Sequence, residues 1–196
     1  MIRLLSMPLN VSRISRLTAE NVLKRDFKAS RPNEKWTTDV TEFKWYEGPI
    51  VHKLYLSAIL DLYDRRIVSY VIGDSNNNPL VFETFNRAVT ENPDAHPLFH
   101  SDRGFQYTNL TFHSMIVSAG MTQSMSRVAK CIDNGPMEGF WGILKRERYY
   151  GKRFTSREEL VSMIDTYITY YNNRRLQRKL GVLTPMEKHT SYKAAA

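Results

Sequence analysis

A single cysteine, Cys131, is all the thiol chemistry that the chain of 196 residues carries. That scarcity excludes an internal disulfide and a multi-thiolate zinc site, and it suits a reducing cytoplasm. No run of about 18 or more apolar residues is present, so no transmembrane helix is expected. The opening Met1-Ile2-Arg3-Leu4-Leu5-Ser6-Met7-Pro8 is too short and too broken for a signal peptide. Internal repeats are missing, and low complexity is confined to the Ala194–Ala196 tail. There is no Ser-His-Asp or Cys-His pattern for nucleophilic catalysis, and His100, His113 and Cys131 lack metal-ligand spacing.

What is present is an ordinary globular composition with unevenly placed charge. The length suits one domain with a real core plus appendages. Net charge is +8, but residues 1–35 hold eight Lys/Arg against three Asp/Glu, residues 36–144 eight against twelve, and residues 145–179 ten against four. An acidic centre between two basic arms suits a metal-binding site that works on a polyanion. Two solvated faces would give the same count.

Periodicity and breakers predict a mixed α/β layer fold with helices on a central sheet. Residues 1–31 show little sustained periodicity and read as a basic arm or linker, ended by Arg31-Pro32-Asn33. Strands are expected at Trp36–Trp45, Leu54–Leu62 and Ile67–Ile72, joined as an antiparallel meander. A helix carrying Val81, Phe82, Phe85, Ala88 and Val89 follows Pro79, and the short strand Leu98–Ser101 runs straight into Asp102. Thr108 is placed to cap a second helix, stopped by Gly120, and residues 121–125 suit a last short strand. A long helix begins near Pro136 with Met137, Phe140, Trp141 and Leu144 as its buried stripe. Thr155 or Ser156 caps another, and Leu183-Thr184-Pro185 marks a final turn.

Three carboxylates organise the functional reading. Asp102 follows an apolar strand, Glu138 opens a helix after 35 intervening residues, and Asp39 lies in the first strand. Magnesium is a hard cation that takes carboxylate, phosphate and water oxygens. Two such ions activate the attacking oxygen and stabilise the leaving one during in-line displacement at phosphorus, with no covalent enzyme intermediate. Each acid also has an ordinary explanation: Asp39 as a strand-end polar residue, Asp102 in a Ser-Asp-Arg-Gly turn, Glu138 near the third helical position beside the orphan amides. Asp61 and Asp64, beside Arg65 and Arg66, read as turn and salt-bridge residues, yet spacing alone does not choose between Asp39 and Asp61.

Gly135, Gly139 and Gly142 surround Glu138. Glycine costs a helix interior roughly 1 kcal/mol relative to alanine, so the cluster needs a reason. Room for metal and nucleic acid is one, and close helix-on-sheet packing is the other. Lys145 lies about two turns beyond Glu138 on the same side, placed to meet a phosphate. Arg146, Arg148, Lys152 and Arg153 extend a basic surface for DNA, with Tyr149 and Tyr150 available to stack on bases.

These residues carry a resemblance. Trp36-Thr37-Thr38-Asp39-Val40-Thr41, His100-Ser101-Asp102-Arg103-Gly104-Phe105-Gln106-Tyr107, and Asp133-Asn134-Gly135-Pro136-Met137-Glu138 with Leu144-Lys145-Arg146-Glu147 resemble the DDE signature of bacterial insertion-sequence transposases. The group is the one related to retroviral integrases, whose catalytic subunit is read from a second frame. Tyr171-Asn172 through Arg175, Leu180 and Thr184-Pro185-Met186 match its C-terminal pattern, so the likeness covers roughly residues 21–190.

The resemblance implies a ribonuclease H-like fold, a mixed sheet with helices on both faces. It implies two magnesium or manganese ions held by Asp39, Asp102 and Glu138, and Lys145 against DNA. It thereby selects Asp39 over Asp61. The implied reaction is cleavage of element ends and strand transfer into target DNA, by a homodimer or higher assembly in the cytoplasm. Residues 32–190 would form the catalytic core with basic C-terminal helices, and residues 191–196 a tail. Family members often have alanine at the position of Gly135, and their full-length forms carry helix-turn-helix segments ahead of the core. A chain starting at Met1 begins in the linker after those segments, as a truncated copy, a fragment or the product of an internal start, and an upstream-frame helix-turn-helix protein becomes an expected partner. The competing readings are a ribonuclease H-like nuclease and a catalytically compromised DNA-binding remnant.

Overall fold

The computed structural model describes residues 18–127 and 131–195. Strands β1 (Lys35–Glu47), β2 (Ile50–Asp61) and β3 (Ile67–Gly73) form the meander. Gly48, at φ +58°, makes the first turn, where a residue without Cβ is favoured. In the second turn the Asp61 carboxylate accepts from the Asn33 and Tyr63 amides, and Asp64 accepts from the Arg66 amide. Helix α1 (Asn78–Glu91) has Asn77 as its cap, accepting from Leu80 N, and Pro79 in its first turn. Strand β4 (Leu98–Ser101), helix α2 (Leu110–Ser118) and strand β5 (Thr122–Met125) follow. A one-turn 3₁₀ segment (Cys131–Asn134) leads into α3 (Gly135–Leu144), and then come α4 (Arg157–Asn173) and α5 (Pro185–Ala195).

The sheet order is β3-β2-β1-β4-β5, with β1–β2 and β2–β3 antiparallel and β1–β4 and β4–β5 parallel. Both faces are covered. On one, Phe43, Leu54, Leu56, Ala58 and Leu60 pack against Met137, Phe140, Trp141 and Leu144 of α3 and Leu160, Ile164 and Ile168 of α4. On the other, Trp36, Ile59 and Phe99 meet Val81, Phe85 and Ala88 of α1 and Phe112 and Ile116 of α2. Each large apolar side chain buried in this way contributes about 1.5–3 kcal/mol. The central strand therefore sits in rigid surroundings.

Local details differ from the sequence reading. Asn109, not Thr108, caps α2 by accepting from Thr111 N, while the Thr108 hydroxyl donates to the Gly104 and Phe105 carbonyls. Ser156 rather than Thr155 caps α4. The helix that starts near Pro136 stays α-helical only to Leu144 and then widens into a π-helical turn over Lys145–Tyr149, closed by Tyr150 N on Lys145 O at 2.7 Å. Of the expected arm, residues 1–17 lie outside the described residues. Residues 19–23 lie along β5, with Leu23 buried, its amide donating to Ser124 Oγ, and Met125 N donating to Glu20 O, and the chain then passes the start of β1, where Lys35 Nζ donates to Lys28 O. At the opposite edge the Asn172 side chain accepts from Ile67 N and donates to Ile67 O, closing the start of β3 as a strand would. No helix among the described residues is long and apolar enough to cross a membrane.

Candidate active site

The position of Asp39 relative to Asp102 is set by strand register. β1 and β4 run parallel with Thr37 opposite His100, so two further residues along each strand lead to Asp39 and Asp102. Successive strand residues alternate between faces, and Asp39 shares the α3 face with Phe43. The two acids thus stand side by side at the end of β4. Asp39 Oδ2 accepts from the Trp141 indole at 3.0 Å, and Asp102 Oδ1 accepts from Gly104 N at 2.8 Å.

Burial, then the Asp102 charge, then that of Glu138 push the Asp39 carboxyl up to about 6. Burial raises Asp102 as well, against the Gly104 amide. Below them lies the fully buried Tyr107, whose hydroxyl is 3.5 Å from Thr38 Oγ1 and is held protonated first by burial and then by the two acids. Among the described residues, none of Asp39, Asp102 and Glu138 makes an ion pair.

Glu138 arrives on α3, whose start is stitched to β1. Asn134, the residue before the helix, does not cap it. Instead Asn134 Nδ2 donates to Thr38 O at 3.0 Å, and Thr37 Oγ1 donates to Asn134 Oδ1. Asp133 before it has its carboxylate enclosed by Arg127, Arg25 and Asn21, whose donors lie 2.6–3.0 Å away. The Arg127 hydrogen bonds in particular hold that carboxyl well below the usual carboxylate range. The Asp133 carbonyl lies 3.0 Å from Nε2 of His100, whose Nδ1 is 2.9 Å from Ser124 Oγ. Burial pushes the imidazole down to about 4 and keeps it neutral. His100 is therefore a post under the approach to α3.

With Asn134 as the flanking residue, Glu138 is the fourth helical residue, one beyond the capping-box position expected from sequence. Its side chain is exposed. Among the described residues no three His, Cys, Asp or Glu side chains are gathered closely enough to hold a metal ion. The structure thus brings Asp39 and Asp102 together and leaves Glu138 beside them within electrostatic reach. A Cβ added at Gly135, Gly139 or Gly142 would meet nothing within 4 Å. Close packing therefore does not explain these glycines.

Lys145 lies half-buried with its ammonium 5.1 Å from the Phe43 ring centroid. Burial lowers its pKa, opposed by the charges of Glu42 and Asp39. Arg146 and Lys152 are exposed; Arg148 lies 5.8 Å from the Tyr170 ring, and Arg153 donates to Gly48 O. Of the two tyrosines, Tyr150 is exposed, whereas Tyr149 stacks on Phe154, meets Phe43 edge-on and donates to Lys44 O. The decoys lie at the start of β1, with Asp61 opposite Trp36: Asp61 and Asp64 are fully buried, with Asp64 held 2.7 Å from His189 Nδ1 and 3.6 Å from Arg66 Nε.

Sequence reasoning missed Trp141, Asn134 and Asp133. The first was read only as core. The other two stand inside the quoted Asp133–Glu138 motif, but apart from Arg127, six positions before Asp133, the partners of their side chains lie 96–112 positions away.

The family described as integrase core domain matches residues 29–131, and a second family of the same description matches residues 138–191. An uncharacterized transposase-like protein of Haemophilus influenzae is 46% identical over 172 residues, covering 88% of this chain and 78% of that protein. A putative transposase for insertion sequence element IS150 from Escherichia coli is 44% identical, covering 87% of this chain but 59% of its own length. In structure, the chain resembles the HTLV-2 integrase catalytic core domain in complex with magnesium, with a TM-score of 0.61 at 18% identity over 83% of this chain and 99% of the other. It also resembles a chain of a simian T-cell lymphotropic virus intasome, with a TM-score of 0.68 at 15% identity over 90% of this chain and 60% of the other. The fold is that of these cores, ribonuclease H-like.

Proposed function

Because the chain belongs to the integrase core domain family, among the transposases of bacterial insertion sequences, we propose that it is a DDE transposase that cleaves element ends and joins them to target DNA. The observation that carries this reading is the register that sets Asp39 beside Asp102, with α3 bringing Glu138 into their field. Hard oxygen donors without cationic partners, one of them pushed up to about 6 by burial and by the other acids, fit a divalent cation. Asp39, Asp102 and Glu138 would hold it, and magnesium, present with the HTLV-2 core, is the ion of choice, with manganese its substitute. When bound, such ions supply Lewis-acid activation of the attacking oxygen and stabilisation of the leaving one.

The protein's own part is positioning. Trp141 fixes one oxygen of Asp39 and the Gly104 amide one oxygen of Asp102, which leaves each acid a second oxygen to offer. Glycines 139 and 142 keep the flank of Glu138 clear for a phosphodiester. Lys145 meets the neighbouring phosphate, and Arg146, Arg148, Lys152 and Arg153 carry the duplex onward. The core spans residues 32–190, joined to the basic arm before it. End recognition by an upstream-frame helix-turn-helix protein, assembly as a homodimer or higher, and action on nucleoid DNA in the cytoplasm complete the proposal.

The test is magnesium-dependent cleavage and joining of an oligonucleotide carrying the element's terminal inverted repeat, with Asp102→Asn as control. Loss of both steps in the variant is expected. Full activity of Asp102→Asn would sink the assignment, and cleavage without joining would identify a nuclease of the same fold.

A further inference from the structure

The first two strands continue beyond their neighbours. β3 pairs with β2 no further than Gly73 opposite Tyr55, and β4 pairs with β1 no further than Thr37. The β1–β2 ladder runs on to Glu47 opposite Ile50. A lone two-stranded ribbon is marginal in water, and this one is braced along its β1 edge. Tyr46 N donates to Phe154 O, Lys44 N to Tyr149 Oη, and Arg153 to Gly48 O, each at 2.8–2.9 Å. Arg153 also lies 4.2 Å from the Tyr46 ring centroid, and Trp45 stacks on His52 at 4.1 Å.

Two features of this stiff ribbon do nothing for the fold. Its tip exposes Ile50 by 55% and Val51 by 52%, directly after Pro49. Behind the tip, Lys44 and Lys53 stand opposite each other in the ladder, a like-charge pair that destabilises a sheet. Glu42 pairs closely with Lys53, at 2.9 Å, and one carboxylate stands against two ammonium groups. A polyanion would answer both lysines and Arg153. From Asp39 to Glu47 the strand climbs about 26 Å at roughly 3.3 Å per residue, the length of seven or eight base pairs at about 3.4 Å each. Lys145, Lys152 and Arg153 punctuate the chain that follows this same edge.

We propose that the ribbon tip is a DNA wedge. Lys44, Lys53 and Arg153 grip phosphates while Ile50 and Val51 press between bases from the minor groove. The contact falls about seven or eight base pairs from the phosphate at the acids. The inference rests on the DNA-directed reading of that site. Apolar side chains carried between basic ones unstack a base step in this way, and the bent duplex then touches more protein.

The probe is a mixed-sequence duplex several turns long, with 2-aminopurine moved step by step away from one end, titrated with the full chain in metal-free buffer. Wild type should raise the fluorescence at one step. Ile50→Ser/Val51→Ser should abolish that rise and weaken binding roughly tenfold with an unchanged melting temperature, and Lys44→Ala/Lys53→Ala should weaken binding and flatten its salt dependence. A double variant that binds and unstacks like wild type overturns the wedge. So does one that changes only the sedimentation of the free protein, which would assign the tip to a second copy. Cleavage of an element-end duplex, run alongside, separates the two ideas. A wild type that binds through the tip yet never cleaves overturns the enzymatic reading alone, and unaltered binding by the variant beside normal cleavage overturns the wedge alone.

Discussion

Replacing Gly142 with leucine should make the protein more stable and less active. The residue lies inside α3, where glycine is about 1 kcal/mol worse than leucine because its backbone has more freedom to lose. A Cβ at this position meets nothing within 4 Å, so the first added carbon is free of a clash. At about 2–4 °C per kcal/mol for a chain of this size, the melting temperature should rise by about 2–4 °C. Residues four apart on a helix share a face, so the new side chain stands beside Glu138, on the path that the proposed function gives to DNA. An obstruction worth only about 1.4 kcal/mol in the transition state slows cleavage tenfold. Calorimetry of the free protein and magnesium-dependent cleavage of an end duplex, measured on one preparation, give both halves. A melting temperature that falls by several degrees would refute the open space around α3. Unimpaired cleavage would refute its use by the substrate.

Asp39→Asn should be more stable than wild type above pH 6 and equal to it near pH 4. Burial, then Asp102 and Glu138, raise the folded carboxyl from 3.8 to about 6, so the unfolded chain ionises first and stability is lost as pH climbs between those values, by at most about 3 kcal/mol. Thermal melts across pH decide this, and a gap equally wide at pH 4 and pH 8 would defeat it; added magnesium should raise the melting temperature of wild type only. Asn172→Ala removes both hydrogen bonds to Ile67 and should cost about 1–3 kcal/mol in urea denaturation, with cleavage per folded molecule unchanged; a cost under about 0.5 kcal/mol would show that water replaces the amide without loss. Lys145→Met keeps the packing on Phe43 but not the charge, and should lower DNA affinity and reduce the salt slope by about one. An unchanged slope would remove Lys145 from the phosphate track.

The acids and their strands were legible because the signals are local. An apolar run ending at Asp102, and a Thr-rich strand carrying Asp39, state their own geometry, and the burial of β2 on both faces follows from its near-continuous apolar run. That Asp39 rather than Asp61 stands beside Asp102 was not legible by spacing. It depends on a parallel pairing between Thr37 and His100 that only the folded sheet displays. Asn134, the residue before α3, is a cross-link to β1 rather than a cap, since a nearby strand carbonyl competes with the helix amides for the same side chain. The π-helical turn after Leu144 had no glycine or proline to announce it. Tyr149 looked free to stack on bases, yet Phe43 and Phe154 hold its ring.

The contact between Trp141 and Asp39 also has an optical side. The chain has three tryptophans: Trp36 is fully buried, Trp45 lies against His52, and only Trp141 shares a proton with an acid of the site. Indole emission follows the electric field along the ring, and the carboxylate sits at its polar end. Any charge that settles on Asp39 changes that field while leaving the other two rings in theirs. The protein thus carries a built-in dye at its acidic centre, and the colour of its own fluorescence registers what arrives there.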